Sequence, residues 1–247
     1  MIEPLTVHVI GALGVVGSAT ANGIERFGHE VIRTDKGDDP VAPAADIKMI
    51  CVPEDAVPSI VRALKDTISV VVIRSSVPPG TTEALAQELH RDVFHNPEFL
   101  RAGVAEYEFL ESQHAIVGMS SNWGVSGKNL LDQLYSDMGK TLVFCTSTES
   151  ELLKLAMNCY LATQIAFWVN IGFVAKPLGV QSHRIARLAL LDKRVSPYGA
   201  VMSGTYGGAC LPKDMAQMLR LARSLPSSVS MPVVEGVQVT NRLLGGE

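Results

Sequence analysis

Between Val7 and Asp35 the chain lays out strand, glycine turn, helix, strand and acid in that order, and few folds accommodate the series. Val7-His8-Val9-Ile10 is a short apolar run. Gly11-Ala12-Leu13-Gly14-Val15-Val16-Gly17 follows, then a helix-compatible stretch through Phe27. Glu30 to Asp35 reads as a second strand closed by an acid. Glycines permit a tight turn and the close approach of a pyrophosphate, and the helix N-terminus presents N–H groups and a positive dipole end. An acid about 20 residues beyond the turn accepts hydrogen bonds from ribose hydroxyls. Gly11, Gly14, Val15, Val16, Gly17 and Asp35 are therefore candidate cofactor-binding residues, and Asp35 favours NAD over NADP. Arg33 and Lys36 pull the other way, because a nearby cation serves a 2′-phosphate.

The alternation continues. Asp46 to Pro53, Ser69 to Arg74, Asp92 to His95, His114 to Gly118 and Thr141 to Cys145 read as strands. Val57 to Leu64 and Gly127 to Met138 read as helices, and Thr81 or Thr82 is expected to cap another. This order predicts an α/β fold: a doubly wound, mostly parallel, Rossmann-type sheet. Ligands in such sheets sit beyond the carboxyl ends of the strands. The loops at Gly11, Val52, Ser76 and Glu98 all follow strands, so they are expected to ring one crevice.

After Thr148 the pattern changes. Glu149 to Lys176 reads as one long apolar helix, Gln181 to Leu191, Asp214 to Ser224 and Val233 to Leu243 as shorter ones. A dinucleotide-binding domain over 1–148 and an all-helical domain over 149–247 are expected. Lys154 and Asn158 lie four apart and share a helical face. Gly204 to Asp214 places Cys210 in a glycine-rich turn with Lys213 and Asp214 just beyond. Lys213 favours the thiolate, the nucleophilic form. Asp214 is placed to act as a base. In isolation, a thiol in a tight turn is more often simply packed.

The net charge of −4 and a pI near 5.9 argue against nucleic acid or an anionic membrane as partner. The apolar stretches read as too short or too interrupted to span a bilayer. Cys51, Cys145, Cys159 and Cys210 have no metal-ligand spacing, and no metal site is expected. With no leader pattern, a reduced cytoplasmic protein is the simplest expectation. His8, His29, His90, His95, His114 and His183 form no metal-binding pattern either. His95 lies beside the Glu98 loop, where a modest site role is expected. Trp123 and Trp168 read as packing or interface residues.

Taken together, Gly14-Val15-Val16-Gly17, Ser75 to Thr82, Asn96-Pro97-Glu98-Phe99-Leu100-Arg101, Glu151 to Asn158 with Asn170, Asp192 to Val195 and Gly207 to Asp214 resemble the UDP-glucose/GDP-mannose 6-dehydrogenase family, in family order. The resemblance implies oxidation of a primary alcohol to a carboxylate with two NAD per substrate. It implies that Cys210 attacks an aldehyde, that Lys154 and Asn158 stabilise the oxyanion, and that Asp214 and Glu98 handle protons as a thioester is hydrolysed. Ser76 stands where the family usually has Thr and keeps the hydroxyl. Val52, Ser76 and Lys213 join the implied cofactor contacts. Phe99, Leu100, Arg101, Tyr198 and Gly207 join the substrate contacts. Arg194 matches an arginine that reaches the neighbouring subunit's site, which implies a homodimer.

There are departures. Ala102 replaces a frequent Glu, Val201 lies where a Lys is common, Pro53-Glu54-Asp55 replaces Pro-Thr-Pro, and Ile171 follows Asn170 where Glu is usual. The chain ends about where a nucleotide-binding third domain is expected. These point to a retained reaction on an altered substrate: a nucleotide-sugar, or a smaller alcohol such as a sugar phosphate, hydroxy acid or phosphonate. Two other readings stay open. One is a two-electron dehydrogenase resembling the β-hydroxyacid dehydrogenases, with Lys154 as acid/base. The other is a non-catalytic NAD-binding partner subunit.

Overall fold

A computed structural model describes residues 3–121, 125–200, 204–208 and 210–245. Trp123, Val201 and Ala209 lie outside them. The chain divides into two compact units, Met1–Lys154 and Leu155–Glu247.

The first unit alternates β1 (Thr6–Ile10), α1 (Val15–Arg26), β2 (Glu30–Thr34), β3 (Ile47–Ile50), α2 (Val57–Ala63), β4 (Val70–Ile73), α3 (Thr81–Leu89), β5 (Val93–His95), α4 (Ala105–Glu111), β6 (His114–Met119), α5 (Val125–Asp137) and β7 (Thr141–Thr146). The strands form one sheet in the order β2-β1-β3-β4-β5-β6-β7. Every pairing is parallel except β5 with β6. This is the expected Rossmann-type α/β sheet. β3 is buried along its whole length, as strands covered on both faces must be. One core cluster gathers Val7, Met49, Phe94 and Leu131, and another gathers Ile10, Ile50, Val71 and Leu85. Each such side chain contributes about 1.5–3 kcal/mol through burial. After β1 the chain passes to β2 on one side and then to β3 on the other. The crevice of a doubly wound sheet opens at such a reversal.

Neither Thr81 nor Thr82 caps α3, which corrects the sequence expectation. The N-cap is Gly80, without a side-chain cap. Thr81 Oγ1 instead donates to Pro78 O at 2.6 Å. The cap is a distant carboxylate: Gly80 N donates to Glu151 Oε2 at 2.6 Å and Thr82 N to Glu151 Oε1 at 2.8 Å.

The helix that carries Glu151 is α6 (Ser147–Ala175). Its start is fixed by a reciprocal pair. Thr146 N donates to Glu149 Oε2 at 2.8 Å, and Glu149 N donates to Thr146 Oγ1 at 3.2 Å, a capping box. The stretch Ser147–Leu178 is, at 32 residues, long and apolar enough to cross a membrane, contrary to the sequence expectation. Half of its most apolar window is buried inside the protein.

In the second unit, α6 is followed by α7 (Ser182–Ala189), α8 (Leu211–Ser224) and α9 (Pro232–Leu243). No strand follows β7 among the described residues. Leu155, Cys159, Ala162 and Ile165 of α6 pack in one cluster with Met215, Met218 and Leu219 of α8 and Val234 and Val237 of α9. Met215, Met218, Leu219 and Ala222 are spaced for a single buried helical face.

Candidate active site

Two glycines of the turn, Gly11 and Gly17, leave no room for a side chain. Gly11 has φ +89°, and a Cβ there would lie 2.3 Å from Cys51 O at the end of β3. A Cβ on Gly17 would lie 2.1 Å from Gly11 O, so α1 packs directly on the turn. Gly14 is the N-cap of α1 and no side chain caps the helix, so its first N–H groups remain for a ligand. Thr34 O accepts from Gly11 N at 2.8 Å and Ala12 N at 3.0 Å, tying the turn to the end of β2. Next along, Asp35 accepts from Leu13 N and Lys36 N, both at 2.8 Å. These backbone bonds, Lys36 first, hold its carboxyl below the usual range. Each oxygen keeps a further lone pair for a ribose hydroxyl. Arg33 turns away: its guanidinium bonds Glu25 Oε2 at 2.7 Å and Asn22 Oδ1 at 3.0 Å. The turn, the open helix end and the acid fit NAD, with Val15 and Val16 opening α1. Val52 stands next to Cys51 on the rim, and its carbonyl accepts from Ser75 Oγ at 2.6 Å.

In the same unit Glu98 and Lys154 meet in a buried ion pair, Nζ to Oε1 at 2.9 Å. Lys154 also donates to the backbone carbonyl of Glu98. The second carboxylate oxygen of Glu98 accepts from Leu100 N at 2.7 Å. Lys154 Nζ stands 5.4 Å from the Phe99 ring centroid. Two of the ammonium's three protons are used, which leaves one donor. Nearby, His95 lies 2.8 Å from Ser150 Oγ through Nδ1. Burial lowers the His95 pKa to about 4, so the ring is neutral at physiological pH. Ser76 is partly buried in the loop after β4, and its hydroxyl makes no hydrogen bond among the described residues.

In the second unit, Asn158 Nδ2 donates to Asp214 Oδ2 at 2.6 Å, and Lys213 Nζ stands 3.2 Å from Asp214 Oδ1. Asp214 is fully buried, in the first turn of α8. Cys210 is the exposed N-cap of that helix, one turn before Asp214. A helix N-terminus favours a thiolate. Burial raises the other three thiols: Cys51 and Cys159 are each pushed up to about 11, and Cys145 is raised.

The remaining predicted residues are placed as follows. Arg101 is ion-paired with Glu108, and Leu100 packs partly buried on the core. Arg194 is exposed and holds Asp192 at 2.6 Å. Tyr198 packs against the second unit's core, and Gly207 is exposed. Sequence reasoning missed Glu151 as a helix cap. Nor did it flag the buried set in which Arg74 bonds Asn96 and Tyr135, and Asn96 Nδ2 donates to Ile116 O at 2.7 Å. Asn96 opens the loop that carries Glu98.

Comparison with known proteins gives the family and the fold. The chain is 32% identical to UDP-glucose 6-dehydrogenase of Campylobacter jejuni over 195 residues, covering 75% of this chain and 49% of that one. The chain thus spans about half the length of that relative. A UDP-glucose dehydrogenase structure from Pyrobaculum islandicum superposes with a TM-score of 0.87 at 26% identity, covering 98% of this chain and 69% of that one. A Mycobacterium tuberculosis 3-hydroxyisobutyrate dehydrogenase shares the fold, with a TM-score of 0.76 at 14% identity over 98% of this chain and 94% of its own. Residues 42–139 match the NAD binding domain of one family and residues 148–242 match its central domain. On these matches, the chain belongs to the UDP-glucose/GDP-mannose dehydrogenase family.

Proposed function

We propose that this protein oxidises a primary alcohol to a carboxylate, with Cys210 as the covalent nucleophile and a nucleotide-sugar as the first candidate substrate. One observation carries the reading. Cys210 is the exposed cysteine at a helix N-terminus, one turn from a buried Asp214 bonded to Asn158, while burial raises the other three thiols. The names of the relatives support the substrate class. A smaller alcohol remains the alternative, since Ala102 replaces a frequent glutamate.

NAD, when bound, supplies the hydride acceptor for each of the two oxidation steps. Gly11, Gly14, Gly17 and Asp35 would hold it, with Val15, Val16, Val52, Ser76 and Lys213 alongside. The Cys210 thiolate adds to the aldehyde carbon, and the carbonyl electron pair moves onto oxygen. The remaining N–H of Lys154 and the second amide proton of Asn158 serve that oxyanion. Loss of hydride from the adduct leaves a thioester. Water adds to it while Glu98 or Asp214 takes the proton, and the C–S bond breaks to release carboxylate and thiolate. One alcohol, one water and two NAD⁺ thus give one carboxylate, two NADH and three protons.

Phe99, Leu100, Arg101, Tyr198 and Gly207 are the proposed substrate contacts. We place Arg194 at a partner's site in a homodimer. Its exposure supports this, as do the exposed apolar residues Phe167, Phe173, Leu188 and Leu191 of the helical unit. A reducing, cytoplasmic setting keeps Cys210 a thiol.

The test is NADH yield per substrate over UDP-sugars, GDP-mannose, sugar phosphates and small hydroxy acids, repeated with Cys210→Ser. Two NADH with an acid product, and a variant that stops at the aldehyde, is the expected result. One NADH, with the serine variant fully active, would replace this reading by a two-electron reaction based on Lys154. NAD binding without turnover on any of these alcohols would favour a binding subunit.

A further inference from the structure

β3 buries a lysine. Lys48 is 0% exposed; burial lowers its pKa, and the charge of Asp39 opposes that without a direct ion pair among the described residues. Burying an ammonium is costly unless its protons are all bonded. Here they are. Nζ donates to Pro40 O at 2.9 Å, Val41 O at 3.0 Å and Pro43 O at 2.8 Å. Three carbonyl acceptors need three N–H donors, so Lys48 is the charged form. It gathers the loop that leaves Asp35.

The same ammonium lies 3.4 Å from His8 Nδ1 on neighbouring β1. A ring nitrogen facing a saturated ammonium presents its lone pair, so the proton of the neutral ring sits on Nε2. Nε2 lies 2.7 Å from Thr34 Oγ1 and donates to it. His8 is 0% exposed, and burial first, then Lys48, lowers its pKa to about 4, which keeps this tautomer neutral. Thr34 is the joint. Its carbonyl holds Gly11 and Ala12, and it directly precedes Asp35.

We propose that Lys48 and His8 are positioning residues for the NAD cradle: the chain from buried Lys48 and His8 to half-buried Thr34 holds the glycine turn and the Asp35 loop in register. The proposal rests on the reading of Gly11 to Asp35 as that cradle. Neither residue touches the cofactor. They act by fixing Thr34, from which the pyrophosphate turn and the ribose acid both hang. The cradle is thereby pre-organised, and less ordering is needed when NAD binds.

The test is NADH affinity of the full chain, by fluorescence titration, with melting followed in parallel. Thr34→Val keeps the shape and removes the acceptor. It is expected to raise the NADH Kd by about fivefold to tenfold, the effect of one lost hydrogen bond. Thr34→Ser restores the hydroxyl and is expected to bind within about twofold of the parent, a rescue that a packing role would not give. Lys48→Met is expected to speed hydrogen exchange over residues 36–43 and weaken NADH in step. Equal affinity in the valine variant, or equal loss in the serine variant, overturns the proposal. So does a Lys48→Met protein whose loop loosens while its NADH affinity stays. A parent protein that binds no NADH overturns the cradle reading itself, and this proposal with it.

Discussion

Lys154 Nζ and Glu98 Oε1 stand 2.9 Å apart with side chains only 5% and 7% exposed, so each charge relies on the other. Lys154→Met would leave a buried carboxylate without a counter-charge. It is expected to cost about 3–5 kcal/mol in urea unfolding. The double variant Lys154→Met/Glu98→Leu is expected to recover most of that stability while remaining inactive. Recovery of stability without activity would separate the packing role of the pair from its chemical one.

Glu151 reaches the start of α3 from far along the chain and takes two of its backbone N–H groups. Glu151→Ala is expected to cost about 2 kcal/mol, as the loss of a strong cap does. Hydrogen exchange at Gly80 and Thr82 should quicken first. Unchanged protection there would refute the capping role.

His95 gives the first unit an acid-sensitive component. Its pKa in the fold is about 4 against an ordinary 6.5, so on acidification the unfolded chain takes up the proton first. The contribution is complete above about pH 6.5 and is lost as the pH falls toward 4. His95→Gln is expected to remove about 2 kcal/mol of the stability change between pH 7 and pH 5. His8 carries the same sign, so the parent-minus-variant difference in denaturant midpoint is the measurement that isolates His95.

Cofactor choice turns on which charge faces the ribose. Asp35→Ser is expected to weaken NAD about tenfold without creating NADP affinity, because Glu25 and Asn22 hold Arg33 away. Adding Glu25→Ala should free that guanidinium and raise NADP binding. Titration of both cofactors against the single and double variants decides it. NADP binding by Asp35→Ser alone would show that Arg33 is not sequestered.

Local signals were readable and distant ones were not. The strands from β1 to β7, the glycine turn and the helices of the second unit all announce themselves within a few residues, through apolar period, turn chemistry or caps. The sequence also paired Lys154 with Asn158 by helical spacing and singled out Cys210 and Asp214. What it could not show depends on contacts between remote positions. Thr81 and Thr82 looked like caps because that preference is local, and a carboxylate about 70 residues away overrides it. Lys48 breaks an apolar strand pattern, and only the fold reveals the three carbonyls that accommodate it. The helix α6 was read at nearly its full length, from Glu149 to Lys176, but its apolarity was underrated because Glu149, Glu151 and Lys154 charge its first turns.

Glu151 and Lys154 sit three residues apart on one rod, and each grips a different loop of the sheet: the α3 entrance and the Glu98 turn. An α-helix turns about 100° per residue. A single inserted or deleted residue between them would swing one grip off its target while the other held. This short stretch is therefore locked in length.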